Sequence, residues 1–186
     1  MNRGRFPLAR AYSLEATHLG AFAEDSDLLA WIKGTESFCE YYAGNYRRSF
    51  ELAHEGLELA GTGPQRVRLL INGEARALGK LGDEAGVHAA VEQAYQVLDY
   101  LPEVPGVSPC VSFGGYSRAR LASNAVTAYV DLGLPQQVMA HAEQAMDEFD
   151  SSESSWSRSL IRLDLANCLV AAKDGDPEEA LSLIHI

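Results

Sequence analysis

Side chains at helical spacing recur along almost the whole chain. Leu28, Trp31, Thr35, Phe38 and Tyr42 follow one another at steps of three or four, and so do Leu160, Leu163, Ala166 and Val170. Residues so spaced share one face of a helix. No stretch alternates convincingly with the two-residue period of a strand, so the pattern predicts an all-α chain. Gly44, Gly82, Gly133 and Gly175 punctuate it. They divide it into first helices over about 26–43, 64–81, 115–132 and 154–174, and second helices over about 46–60, 84–101, 136–149 and 177 onward. A further helix over 8–24 precedes them and has no partner of its own.

The units repeat. Seven residues before the four glycines stand Ser37, Ala75, Val126 and Cys168, and five after them stand Ser49, Val87, Val138 and Ala180. Twelve after the first three come Gly56, Ala94 and Ala145, each followed by a larger residue: Leu57, Tyr95 or Met146. Small side chains at these offsets let two helices approach closely, and a glycine accepts the turn between them. The expected architecture is an α-solenoid of antiparallel helix hairpins in a right-handed superhelix. It has about three complete repeats plus partial end repeats, as one domain over residues 1–180.

Helix-start signals agree with this division. Asp176-Pro177-Glu178-Glu179 and Asp150-Ser151-Ser152-Glu153 read as capping boxes, and Gly63-Pro64 and Leu134-Pro135 put proline at a first helical position. Asn45 and Asp83 stand where second helices begin. The glycine spacing is uneven, at 38, 51 and 42 residues. The longest gap holds residues 101–115, with three prolines and three glycines, which read as a loop. It is either a long connector or a flap over a ligand, with Phe113 and Tyr116 as its apolar contacts. At the other end, residues 181–186 read LSLIHI, the in-frame translation of CTGTCTCTTATACACATC, a transposase adaptor of sequencing libraries. The expectation is therefore an artefact there, with native sequence stopping at Ala180. The alternative is that Leu181 and Ile184 continue an amphipathic helix.

Composition narrows the function classes. A net charge of −11 argues against a nucleic-acid grip by this chain itself, because phosphate binding needs a surplus of Lys and Arg on one face. No apolar run approaches the roughly 18–20 residues of a membrane helix, and the N-terminus lacks the apolar core of a signal peptide. Cys39, Cys110 and Cys168 have no paired spacing, which suits free thiols in a reducing cytoplasm. The five histidines form no metal-binding motif, and no nucleophile motif or acid–base pair stands out. The expectation is a binding protein, not an enzyme, with no metal or cofactor.

Charge separates by helix. The arginines and lysines from Lys33 to Lys173 lie mostly on first helices, whereas Glu51, Glu55, Glu58, Glu92, Glu143 and Glu148 lie on second ones. In a right-handed stack of such hairpins the first helices line the concave surface. Candidate groove residues are accordingly Asn72, Arg76, Arg120, Asn124 and Arg162, with Ser123 and Thr127 beside them and Trp31, Phe38 and Tyr41 as an aromatic wall. Asparagine can hold a peptide backbone through its donor and acceptor, and arginine can take a carboxylate bidentately. The competing reading pairs these arginines with Glu36, Glu74, Asp131 and Asp164 for stability alone. On the groove reading, alanine at Asn72, Arg76, Arg120 and Arg162 would abolish ligand binding and leave the melting temperature unchanged.

The order of motifs carries a resemblance. Leu29-Ala-Trp31-Ile-Lys-Gly34-Thr35-Glu-Ser37, Tyr41-Tyr-Ala-Gly44, Gly56-Leu57, Val67-Arg68-Leu69, Glu74-Ala-Arg76-Ala-Leu78, Leu81-Gly82-Asp83, Trp156-Ser-Arg158 and Arg162-Leu-Asp-Leu-Ala166 succeed one another. This succession is similar to the tetratricopeptide-repeat region of actinobacterial XRE-type helix-turn-helix transcriptional regulators, over nearly all of residues 8–180. The resemblance implies a region that senses a peptide, a protein or a small-molecule effector in its concave groove and that forms a homodimer. DNA would be reached only through a helix-turn-helix domain, which this chain lacks. A stand-alone tetratricopeptide adaptor for a protein or peptide partner is the alternative.

Overall fold

The computed structural model describes residues 4–151 and 155–171, together with residues 178 and 182. The regular structure among the described residues is helical, with no strand among them. In chain order the elements are α1 (Phe6–Ala23), α2 (Ser26–Tyr42), α3 (Tyr46–Leu59), α4 (Pro64–Arg68), a π-helical segment (Leu69–Ala75), α5 (Arg76–Leu81), α6 (Glu84–Leu98), α7 (Arg118–Leu132), α8 (Pro135–Glu143), α9 (Met146–Asp150) and α10 (Ser155–Ala171). The run from α4 through α5 is unbroken, because Arg68, Leu69, Ala75 and Arg76 all keep right-handed helical backbone angles.

One turn occurs three times. Gly44, Gly82 and Gly133 have φ of +84°, +76° and +68°. In each case the glycine N–H and the next N–H turn back onto the preceding helix. Gly82 donates to the Gly79 carbonyl at 3.1 Å and Asp83 to Leu78 at 3.0 Å, and the pairs at Gly44 and Gly133 match. This double hydrogen bond satisfies two of the carbonyls that a helix end leaves open, and it reverses the chain in few residues. A Cβ on Gly82 would meet nothing within 4 Å, so backbone angle rather than space selects glycine there.

The small residues spaced about those turns lie in the helix–helix seams. Ala75, Val87, Val126 and Val138 are fully buried. Ser37 and Ser49 exchange hydrogen bonds across the α2–α3 seam, each hydroxyl reaching the other residue's carbonyl at 2.8–2.9 Å. Each seam then continues into the next unit. Gly56 on α3 faces Leu69, and Gly79 on α5 lies against the backbone of α7, where a Cβ would come within 2.6 Å of the Ala128 carbonyl oxygen.

Between these seams every residue from Val67 to Gly79 is buried, so the π-helical segment is enclosed on all sides. The main apolar cluster surrounds it and includes Val67, Leu70, Ile71, Leu121 and Val126. Burying a side chain such as Ile71 or Leu121 contributes roughly 1.5–3 kcal/mol each. At the N-terminal edge, α1 packs on α2 and is tied to it by Arg10, whose guanidinium donates to both Glu40 carboxylate oxygens at 2.5 and 2.8 Å. That contact, with Asn45, holds the Glu40 carboxyl below its ordinary range.

Two expected boundaries move. The helix expected over 115–132 starts at Arg118, because the Ser117 hydroxyl accepts from the Arg120 N–H as its cap. The helix expected over 136–149 divides into α8 and α9, where Ala145 N–H bonds three residues back to Ala142 and Gln144 accepts from the Tyr95 hydroxyl. The Asp83 cap forms as expected, whereas the Asn45 side chain donates to Glu40 and caps nothing. Gly175, the capping box at Asp176 but for Glu178, Ser152 and Glu153 of the box at Asp150, and all of residues 181–186 but Ser182 lie outside the described residues.

The joint between α6, α7 and α8 is built from rings. Tyr129 stacks on His141 and meets His88, and Tyr95 also stacks on His141. Burial, with His88 nearby, lowers the His141 pKa. A depressed folded-state pKa means that the unfolded chain binds the proton more readily. The contribution is then present above the unfolded value of about 6.5 and is lost as pH falls through the folded value. Urea midpoints should therefore decrease on acidification below about pH 6.5, and His141→Gln should flatten that slope. In the same assay Gly82→Ala should cost about 1–2 kcal/mol for its left-handed backbone, with asparagine recovering much of it. Gly79→Ala should cost as much or more, because the α7 backbone it meets cannot rotate away.

Candidate functional site

Three elements bring their polar side chains to one place. Trp31, Thr35, Phe38 and Tyr42 form a stripe along α2. Gln65 lies near the start of α4 and Arg68 at its end, Asn72 sits in the π-helical segment, and Arg76 opens α5. Arg120 and Asn124 come from the first turns of α7. Arg68, Asn72, Arg76, Arg120 and Asn124 are all buried, with Arg68 only 1% exposed.

Their partner is the connection between α6 and α7, which crosses this face as a strap without regular structure. Arg68 Nε donates to the Cys110 carbonyl at 3.1 Å, and Asn72 Nδ2 donates to the same oxygen at 3.4 Å. Trp31 Nε1 donates to the Val111 carbonyl at 3.1 Å and Gln65 Nε2 to the Phe113 carbonyl at 2.7 Å. Arg120 Nε donates to the Ser108 carbonyl at 2.6 Å, and its Nη2 donates to the Ser157 hydroxyl on α10. Ser108 and Ser117 clasp the base of the strap, each backbone N–H donating to the other's hydroxyl at 3.0 Å.

Of the residues expected to hold a ligand, Trp31, Asn72 and Arg120 thus hold main chain of the protein itself, and the others meet side chains. Tyr116, expected among a flap's contacts to a ligand, stands instead in the core, where its hydroxyl accepts from Asn124 at 2.6 Å and burial pushes its pKa up. Phe113 is half exposed and presents its edge to Trp31, with centroids 6.1 Å apart. Phe38 and Tyr41 flank Arg76, whose guanidinium lies 4.3 Å from the Tyr41 ring centroid and 5.8 Å from that of Phe38. Thr127 donates to Asp164 at 2.7 Å, and Ser123 is buried on α7. Arg162 stands apart from the row and donates to Asp150.

Among the described residues Arg76 and Arg120 form no ion pair with Glu36, Glu74, Asp131 or Asp164, and Arg162 pairs with Asp150 instead. Glu36 meets Lys33, Glu74 meets His54, and Asp131 meets Lys80. Arg68 has no carboxylate partner among the described residues. It is satisfied by the carbonyls of Cys110 and Trp31, the Thr35 hydroxyl and Gln65 Oε1. Burial depresses its pKa to about 10, which leaves it charged at neutral pH. Arg76 donates to Asn72 and to the Tyr42 hydroxyl, while its Nε has no hydrogen-bond partner. Burying such an N–H unmet has a cost.

Sequence reasoning passed over Arg68 and Gln65. The four-residue spacing that links Asn72 to Arg76 also reaches back to Arg68, so one more turn along the same face would have found it. The π-helical segment helps align the row. Residues four apart drift around an α-helix of about 3.6 residues per turn, and wider π turns counter that drift.

No group of three or more histidine, cysteine or acidic side chains among the described residues could hold a metal ion. No helix among them is long and apolar enough to cross a membrane. Burial alters the expectation for alanine substitution. Arg68→Ala should lower stability by about 3 kcal/mol, since it strands several buried carbonyl and hydroxyl acceptors at about 1–3 kcal/mol each. Asn72→Ala, Arg76→Ala and Arg120→Ala should also lower the melting temperature. Arg162→Ala, which frees only a half-exposed Asp150, should change stability by less than about 1 kcal/mol. Comparison with family models, curated proteins and solved structures finds no match for this chain.

Proposed function

We propose that this chain is a tetratricopeptide-like region that binds a peptide or protein partner, and that it serves as the sensing part of an XRE-type transcriptional regulator. The observation that carries the reading is the thrice-repeated unit, in which a pair of helices is closed by the same glycine turn and packed through small residues at matching offsets. Repeats of this kind stack, and their stacked first helices offer one long surface. A row of side-chain donors on those helices, already engaged with extended main chain, supports a role in binding rather than catalysis. The motif order over residues 8–180 supports the regulator family. A cytoplasmic location, a homodimer and a DNA-binding helix-turn-helix domain in the whole regulator belong to the same proposal.

In that mechanism, ligand occupancy would shift the population between two curvatures of the helical stack, and with it the spacing of attached DNA-binding domains. A stand-alone adaptor is the second reading, and the same row of donors favours it equally. The gene upstream of the Met1 codon separates the two. An in-frame helix-turn-helix segment is the outcome expected. A stop codon shortly upstream, with no such segment before it, would leave only the adaptor.

A further inference from the structure

We propose that Trp31, Gln65, Arg68 and Asn72 form a site that reads the main-chain carbonyls of an extended peptide, and that the strap segment 109–115 is its internal ligand. The inference rests on the peptide-binding reading above and specifies both the ligand class and what competes for the site.

The contacts are selective in kind. Four side-chain donors reach the carbonyls of Cys110, Val111 and Phe113, three of four consecutive residues. The Phe113 and Trp31 rings add an edge-to-face contact. A site that reads carbonyls accepts any extended chain able to present them at that spacing, as grooves that bind peptide main chain do. The strap also sits as a ligand does. Pro109, Val111 and Phe113 turn outward and are exposed, so few of its side chains are committed to the core. Gly114 and Gly115 end the segment, and the Ser108–Ser117 clasp closes its base independently of the four donors. The segment between can leave while the base stays shut.

A second observation points to an external occupant. Arg76 follows Asn72 along the row and is bonded to it, yet its buried Nε meets no acceptor. The strap runs antiparallel to the helix, with Phe113 at Gln65 and Cys110 at Asn72. On the N-terminal side of Cys110 the strap diverts to the clasp, where Arg120 holds Ser108. A peptide free of the clasp can run straight on and give Arg76 one more carbonyl. That added acceptor is an advantage over the strap, which otherwise competes at the high effective concentration of a tethered segment, on the order of millimolar.

The test uses the strap's own sequence as the probe. Residues 109–113 are replaced by a single glycine, which removes the carbonyls that fill the site and leaves Ser108 and Ser117 to close a short turn, and the acetylated, amidated peptide GVSPCVSFGG is titrated by calorimetry. Binding to the substituted protein, and at least about tenfold weaker binding to the wild type, is the expected result, since apparent affinity falls with the fraction of open groove. A folded substituted protein that takes up no peptide overturns the proposal, as does a wild type that binds equally well. Should the substituted chain not fold, thiol labelling of the intact protein decides. Cys110 is partly exposed while Cys39 and Cys168 are buried. The pair Trp31→Phe with Gln65→Ala removes two donors and should speed Cys110 labelling about tenfold or more, with the other two cysteines unchanged. An unchanged Cys110 rate overturns the proposal. Uptake of some other partner by a protein that ignores the strap peptide would sink this inference and leave the proposed function standing.

Discussion

A buried arginine with no carboxylate partner among the described residues governs this molecule. Arg68 lies beneath the strap with its charge intact, and a charge in that position must be met by hydrogen bonds from every side. Its guanidinium meets them from two different segments: the Trp31 carbonyl and Thr35 hydroxyl of α2, and the Cys110 carbonyl of the strap. Each of these partners contributes, because beneath the closed strap a nitrogen left unmet is stranded away from water. The position of α2 on the central helix and the course of the strap are therefore fixed by the same group. Trp31 adds a stacking contact to Arg68 and a hydrogen bond to the strap, so one ring serves both connections.

The central helix makes this possible. Enclosed between two helix pairs, it can carry Arg68, Asn72 and Arg76 only because the strap closes over the first two and aromatic rings surround the third. Close packing on its flanks depends on small residues. Gly73 would drive a Cβ to within 2.6 Å of the Ala53 Cβ, and Gly79 meets the α7 backbone directly. The polar row and the small-residue flanks are thus two sides of one design. The flanks bring the helices close, and the row faces the polar and aromatic stripe of α2 and the gap beside it. Main chain from the α6–α7 connection fills that gap, and only Arg76 Nε is left over.

Much of the helical framework was legible in the sequence. Gly44, Gly82 and Gly133 predicted the three turns, because a left-handed backbone angle excludes most other residues wherever the chain reverses this tightly. Small residues at fixed offsets from those glycines marked the seams, and helical spacing marked the faces. The division of the 136–149 helix was not legible, since no glycine or proline marks Ala145. The π-helical widening was equally hidden, because Asn72-Gly73 within Leu69–Ala75 weakens helix propensity but says nothing of turn width, which answers to the neighbouring helices. Arg68 and Gln65 were within reach of the same spacing rule that named Asn72 and Arg76.

The sequence by itself determined local geometry: where the chain turns, which positions are small enough for contact, and which side chains share a helix face. Those are decided by backbone angles and by spacing within about ten residues. The tertiary structure alone decided what the shared face touches. Asparagine and arginine at four-residue intervals state a capacity to hold carbonyls, and they do not state whose. The answer comes from residues about forty positions away, where a proline- and glycine-rich connection too irregular to satisfy its own backbone lies across donors too buried to reach water. Each supplies what the other lacks, which is a match between distant segments that no local pattern encodes.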